Sequence, residues 1–145
     1  MTKAILAPAA VLVLWSLVVL VWMGITRFGS VKDVPREKLK ELPRTGGRGQ
    51  DLERVLPAKI SWASHNYTHL MEQPTLFYAT VFVLALVGEG AGLNLMLAWA
   101  YTGLRVAHSL WQILVNQLPI RFALFIASTA CLMALAVNAF RATVL

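Results

Sequence analysis

Three ionisable side chains, Arg105, His108 and Arg121, lie in stretches of the chain that are otherwise apolar enough to cross a membrane. Placing one arginine in a hydrocarbon layer costs about 2.5–3.5 kcal/mol on insertion scales. Such residues usually face the interior of a helix bundle and serve a functional site. An arginine there can bind a carboxylate through two parallel hydrogen bonds. The sequence therefore predicts a polar site between helices that suits an anionic small molecule.

Two segments carry polar residues spaced three and four apart, which puts their side chains on one face of a helix. The first segment contains His65, His69 and Glu72, and the second contains Arg105, His108 and Gln112. We expect the two polar faces to meet and to form the site.

Simpler structural roles are open for the same residues. The face that contains His69 would also suit the start of a helix among lipid headgroups. Arg105 can form a structural ion pair with Glu72, and Arg121 can be a cationic anchor at a cytoplasmic helix end. A metal site is not expected, because His65 and His69 have no evident third ligand and the chain has no HExxH pattern.

Long apolar segments position these residues. Since about 20 apolar residues cross a bilayer, we predict one domain, residues 1–145. It would be an all-α, integral membrane four-helix bundle. Its transmembrane helices are expected at about 4–28, 62–88, 93–115 and 120–140, with a loop at about 29–61. Pro74 is expected to kink the second helix or to be absorbed by its neighbours.

Composition and charge agree with a membrane protein. The 145 residues are 58% hydrophobic and only 14% charged, whereas soluble domains carry about 25% charged residues. Nine of the 13 Lys and Arg residues lie between Arg27 and Lys59, together with five of the seven acids. This mixed-sign block does not predict a nucleic-acid partner, and the positive-inside rule places it in the cytoplasm. Short loops without eukaryotic targeting signals favour a bacterial inner membrane.

The motifs of the third and fourth predicted helices resemble those of the MAPEG family, the membrane-associated proteins of eicosanoid and glutathione metabolism. They read Arg105-Val106-Ala107-His108 and Leu118-Pro119-Ile120-Arg121. The segment from Glu72 to Pro74, with Phe77 and Tyr78 after it, is similar to the family's Glu-and-Pro motif. The resemblance covers most of the chain.

The resemblance implies a homotrimer of four-helix subunits with sites between subunits, near the cytoplasmic helix ends. It also implies glutathione as co-substrate. Arginine can bind the two carboxylates of glutathione, and a glutamate can accept its ammonium. The resemblance places Glu72, Arg105 and His108 in the glutathione pocket. Arg121 would be catalytic, because a cation beside sulfur raises the fraction of reactive thiolate.

Several hydrogen-bonding positions differ from the better-known members of the family. His69 stands in place of an Asn, and Gln112 stands in place of the Tyr of the prostaglandin synthase type; we include both in the predicted binding site. His65 and Thr68 replace basic residues, and Phe122 and Phe125 replace Ser and Tyr. These differences argue against a dedicated prostaglandin or leukotriene synthase.

We therefore expect an integral membrane, glutathione-dependent transferase or peroxidase-like protein acting on lipophilic electrophiles that arrive from the bilayer. The alternative is a non-catalytic membrane protein of the same fold. In that case the charged cluster is structural or binds another anionic small molecule.

Overall fold

The computed structural model describes residues 2–145, and every regular element within that range is helical. Six α-helices follow one another along the chain: α1 (Leu6–Val31), α2 (Arg36–Leu39), α3 (Ala58–Met71), α4 (Gln73–Leu86), α5 (Gly92–Leu114) and α6 (Leu118–Val144). There are also two short 3-10 helices. Lys3–Ile5 precedes α1, and Gly49–Arg54 lies in the long loop that joins α1 to α3.

Two segments are long and apolar enough to cross a membrane. They are Lys3–Val31 and Leu118–Val144, with mean hydropathies of 2.7 and 2.1. Helix α5 has 23 residues but carries Arg105, His108 and Gln112 on its buried side. This amphipathic pattern lowers the hydropathy of α5 and turns its polar face towards the other helices.

The helix predicted at 62–88 is two helices of 14 residues each, and it begins four residues earlier than expected. The break lies at Glu72, whose φ of −88° and ψ of −95° are not helical. Pro74 explains the break, because it has no N–H to donate and its ring collides with the carbonyl four residues earlier. The Thr75 hydroxyl donates to the Glu72 carbonyl at 2.6 Å and closes the first turn of α4.

Apolar side chains from α1, α4, α5 and α6 form the core. The rings of Phe77 and Tyr101 stack at its centre, with centroids 4.3 Å apart and an interplanar angle of 25°. Tyr101 and Phe77 are fully buried, as are Leu12 on α1 and Leu135 on α6. This packing fixes α5 against α4, so that the polar face of α5 lies beside the break at Glu72.

Arg27 fastens the long loop to the bundle. Its Nη2 donates to the Ser64 hydroxyl at 2.6 Å and lies 3.5 Å from Glu53 Oε1. The other carboxylate oxygen of Glu53 lies 3.0 Å from His65 Nε2. These contacts hold the 3-10 helix Gly49–Arg54 over the first half of α3.

Candidate functional site

Arg105 is the most deeply buried charged residue of the predicted site, with 1% of its surface exposed. Its Nη2 donates to the main-chain carbonyl of His69 at 2.8 Å. His69 lies in the last turn of α3, where carbonyls lack donors within their own helix. The Nε and Nη1 groups of Arg105 have no hydrogen-bond partner among residues 2–145. Two nitrogens of a buried guanidinium, with three N–H bonds between them, are therefore without a partner and suit an anion that reaches them.

His69 and His108 bring the two predicted polar faces together. Their rings meet edge to face, with centroids 6.1 Å apart and an interplanar angle of 81°. The ring of Phe125 on α6 lies 6.5 Å from that of His108 and 6.0 Å from the guanidinium carbon of Arg105. The predicted meeting of α3 and α5 is thus present, and α6 contributes an aromatic wall.

Glu72 does not reach Arg105 with an ion pair in the part of the chain that the structure describes. Its Oε2 lies 3.2 Å from His69 Nδ1, and its side chain is 60% exposed. Glu72 shares one face and one cavity wall with His65 and His69, as their spacing predicts, and the ion pair with Arg105 that the sequence left open is absent from the described residues. Glu72 and His69 instead form a pair at the surface of the subunit.

Arg121 lies in the first turn of α6, and its position is fixed by the preceding turn. Its Nη1 donates to Asn116 Oδ1 at 2.6 Å. Asn116 has a φ of 58°, in the left-handed region that asparagine tolerates better than most residues. The side chain that tethers Arg121 therefore also allows α5 to end and α6 to begin.

Two cavities lie on either side of His69. A cavity of about 170 Å³ is bounded by His69, His108 and Arg121, with a wall of Leu118, Phe122 and Phe125. A second cavity of about 380 Å³ is lined by polar and charged residues, Gln50, Glu53, Ser64, His65, Thr68, His69 and Glu72. The first combines a cation with aromatic rings, and the second combines carboxylates, imidazoles and hydroxyls. The second cavity suits a polar ligand, and the first suits an apolar ligand that lies beside it.

Gln112 lies away from both cavities. It is 1% exposed, and its Oε1 has no hydrogen-bond partner within residues 2–145. It lies one helical turn beyond Ser109, on the same face of α5. The structure therefore places Gln112 in the buried polar layer between helices and not on a cavity wall.

A hydrogen-bonded group that the sequence reasoning missed holds this layer together. The Ser109 hydroxyl accepts hydrogen bonds from Trp15 Nε1 at 2.9 Å and from Asn66 Nδ2. Ser109 and Asn66 are completely buried, and they connect α1, α3 and α5. Helical spacing could have found them, since Asn66 lies three residues before His69 and Ser109 lies four residues after Arg105.

Comparison with known proteins identifies the family to which the chain belongs. The profile of the MAPEG family matches residues 5–141, nearly the whole chain. The chain therefore belongs to the MAPEG family and, with its two long apolar helices, is a membrane protein. No curated protein and no solved structure matches the chain significantly.

Proposed function

We propose that the protein is an integral membrane, glutathione-dependent transferase or peroxidase-like enzyme that acts on lipophilic electrophiles. The observation that carries the proposal is the pair of cavities that share His69, one polar and one walled by aromatic side chains. Their volumes, about 380 and 170 Å³, together fall within the range of about 300–1,000 Å³ for small-molecule sites. Family membership supports the choice of glutathione as the polar ligand.

Each charged group has a role that follows from its place. Arg105, which lies behind His69 at the junction of the two cavities, has two unpartnered nitrogens, Nε and Nη1, that suit a carboxylate of the tripeptide. Glu72 and Glu53 line the polar cavity and can accept the ammonium group. Arg121, at the wall of the smaller cavity, lies where it can stabilise a thiolate facing the apolar space.

The proposed reaction begins when the thiol of bound glutathione loses its proton to water. The sulfur then donates an electron pair to the electrophilic carbon, the S–C bond forms, and the bond to the leaving group breaks with its electrons. With a lipid hydroperoxide, sulfur attacks the distal oxygen and an alcohol leaves after protonation; a second glutathione then releases water and the disulfide. Arg121 stabilises the negative charge on sulfur before either attack.

The exposed face of α3 and α4 supports a homotrimer. The Glu72 side chain is 60% exposed in the single subunit, and a carboxylate that faces lipid is costly. The same face carries Leu76, 63% exposed, and Phe82, 59% exposed. A neighbouring subunit would cover this face and close the polar cavity.

We further propose that α1, α3 with α4, α5 and α6 make four membrane crossings in a bacterial inner membrane. The long loop would then be cytoplasmic, since it holds most of the basic residues. Both cavities of the site adjoin this end of the bundle, where soluble glutathione can reach them. The apolar substrate would arrive from the bilayer past Phe122, which is 60% exposed.

A non-catalytic protein of the same fold is the second proposal, and a specific observation favours it. Arg105 is already bound to the His69 carbonyl, and Arg121 is already bound to Asn116. Arg105 and Arg121 thus each form a hydrogen bond that stabilises the subunit. In this case the cluster stabilises the bundle or binds a different anionic small molecule.

A conjugation assay separates the two proposals. The purified protein in lipid nanodiscs is incubated with glutathione and chloro-dinitrobenzene, and the thioether product is measured by absorbance. We expect a protein-dependent rate that Arg121→Ala lowers by about 100-fold, a typical loss for one charge-stabilising group. Arg44→Ala, at an exposed loop position, is the matched control and should keep the rate. No rate above the uncatalysed reaction with any tested electrophile would favour the non-catalytic protein.

A further inference from the structure

A third cavity lies at the end of the bundle opposite the long loop, where α5 begins and α6 ends. Its volume is about 460 Å³, larger than either cavity of the candidate site. Its lining includes Glu89, Asn94, Asn138 and Arg141. None of these residues takes part in the proposed glutathione chemistry, so this cavity requires a separate explanation.

Two residues of opposite charge line this cavity, Glu89 and Arg141. The side chains of Glu89 and Arg141 are both exposed, and neither forms an ion pair or a side-chain hydrogen bond within the described range 2–145. Surface charges of opposite sign that line one cavity without pairing can each bind a group of a ligand. The ligand that matches them carries one negative and one positive charge.

Two hydrogen-bonded asparagines, Asn94 and Asn138, also line this cavity. Asn138 Nδ2 donates to Asn94 Oδ1 at 2.7 Å, and Asn94 Nδ2 donates to the Glu89 carbonyl at 2.8 Å. Asn94 is only 8% exposed. Because these bonds use both amide nitrogens, Asn138 Oδ1 remains as an acceptor without a donor among the described residues. This acceptor suits an N–H group of the ligand.

The position of the cavity indicates a membrane lipid as the source of that ligand. The cavity lies at the end of α6, one of the two segments apolar enough to cross a membrane. Four of its lining residues are apolar and exposed, and the two large ones are Leu93, with 64% of its surface exposed, and Leu145, with 94%. Acyl chains can continue along such a surface while the headgroup occupies the polar part.

We propose that this cavity binds the headgroup of a phospholipid that carries a primary ammonium, as in phosphatidylethanolamine. Arg141 binds the phosphate, and Glu89 together with Asn138 Oδ1 accepts hydrogen bonds from the ammonium. A choline headgroup fits less well, because it has no N–H to donate and the cavity has no aromatic lining residue to receive a quaternary ammonium. An anionic glycerol headgroup fits less well because it leaves Glu89 unpaired.

Native mass spectrometry of the detergent-purified protein tests the proposal. Phosphatidylethanolamine, phosphatidylcholine and phosphatidylglycerol with identical acyl chains are titrated separately. We expect phosphatidylethanolamine to bind about tenfold more tightly than the other two, the ratio that about 1.4 kcal/mol provides. Arg141→Ala should weaken binding of all three lipids, whereas Glu89→Gln should remove the preference for ethanolamine over choline. Lys3→Ala, at an exposed basic position of the same end, is the matched control and should change neither.

Equal binding of the three lipids by the wild-type protein would overturn the proposal. So would a preference that survives both Arg141→Ala and Glu89→Gln in variants that keep the wild-type melting temperature. Soluble glycerophosphoethanolamine is added as a competitor. Displacement of the lipid at equimolar concentration would show that the cavity selects a free metabolite, contrary to the membrane source proposed here.

Discussion

Arg105 Nη2 and the carbonyl oxygen of His69 are 2.8 Å apart, and this bond joins the middle of α5 to the last turn of α3. The break at Glu72 leaves the end of α3 without the donors that a continuous helix would supply. A buried cation on the neighbouring helix supplies one of them. The residue proposed to bind glutathione therefore also stabilises the interrupted helix beside the site.

Arg105→Ala should lower the stability of the fold. The substitution removes a buried hydrogen bond from a charged donor, which is worth about 1.5–3 kcal/mol. It also leaves a cavity where a large, 1% exposed side chain was. The measurement is the thermal midpoint in detergent, followed by far-UV circular dichroism. An unchanged midpoint would mean that the His69 carbonyl finds another donor and that the bond is unimportant for stability.

Ser109→Ala should destabilise the junction of α1, α3 and α5. The variant leaves the Trp15 and Asn66 donors buried and unsatisfied, at a cost of about 1–3 kcal/mol for each group. Ser128→Ala is the matched control, because Ser128 is equally buried but bonds only to a carbonyl of its own helix. Equal thermal midpoints for the two variants would contradict the proposed role of Ser109.

Glu72→Gln should weaken glutathione binding with little effect on stability. Glu72 is exposed in the subunit and pairs with His69, not with Arg105. Loss of one charged acceptor for the ammonium should lower the affinity about tenfold, which corresponds to about 1.4 kcal/mol. Calorimetry gives the affinity, and native mass spectrometry checks that the oligomer is retained. Glu41→Gln in the exposed loop is the control; a loss of stability without a loss of affinity would assign Glu72 to the fold alone.

Two substitutions of Asn116 separate its backbone role from its side-chain role. Asn116→Gly keeps the left-handed backbone but loses the bond to Arg121, whereas Asn116→Ala loses both. We expect the rate of glutathione conjugation to fall about tenfold in both variants, because Asn116 positions Arg121 and does not itself contact the thiol. Only Asn116→Ala should also lower the thermal midpoint. Full activity in Asn116→Gly would show that Arg121 needs no tether.

Spacing in the sequence predicted that the polar faces of α3 and α5 meet, and the structure shows that the contact is between His69 and His108. It could not predict the partner of Arg105, because that partner is a main-chain carbonyl freed by a break. Pro74 predicted a kink or break in the helix, but the sequence does not show which of the residues before the proline leaves helical geometry. Glu72 remained on the face of His65 and His69, as their spacing predicted, but spacing could not show that this face is half exposed in the subunit.

The places of Gln112 and Asn116 could be inferred only from the structure. Gln112 has the spacing of a site residue but lies in the buried layer beside Ser109, because helical spacing does not distinguish a cavity wall from a packed interface. Asn116 gave no sign of contacting Arg121, since the contact depends on a backbone φ of 58°. The apolar lengths of α1 and α6 were much easier to predict, because hydropathy alone determines them.

The central claim is that the polar cavity lined by His69 and Glu72 binds glutathione, with Arg105 behind it on the His69 carbonyl, and calorimetry tests the claim most directly. Glutathione is titrated into the wild-type protein in nanodiscs and into Arg105→Lys, which keeps the charge but loses the unpartnered guanidinium nitrogens Nε and Nη1. We predict saturable binding by the wild-type protein and an affinity at least about tenfold lower in Arg105→Lys, as for the loss of a bidentate contact. No heat of binding up to millimolar glutathione in the wild-type protein would contradict the account and leave the charged cluster as a structural feature.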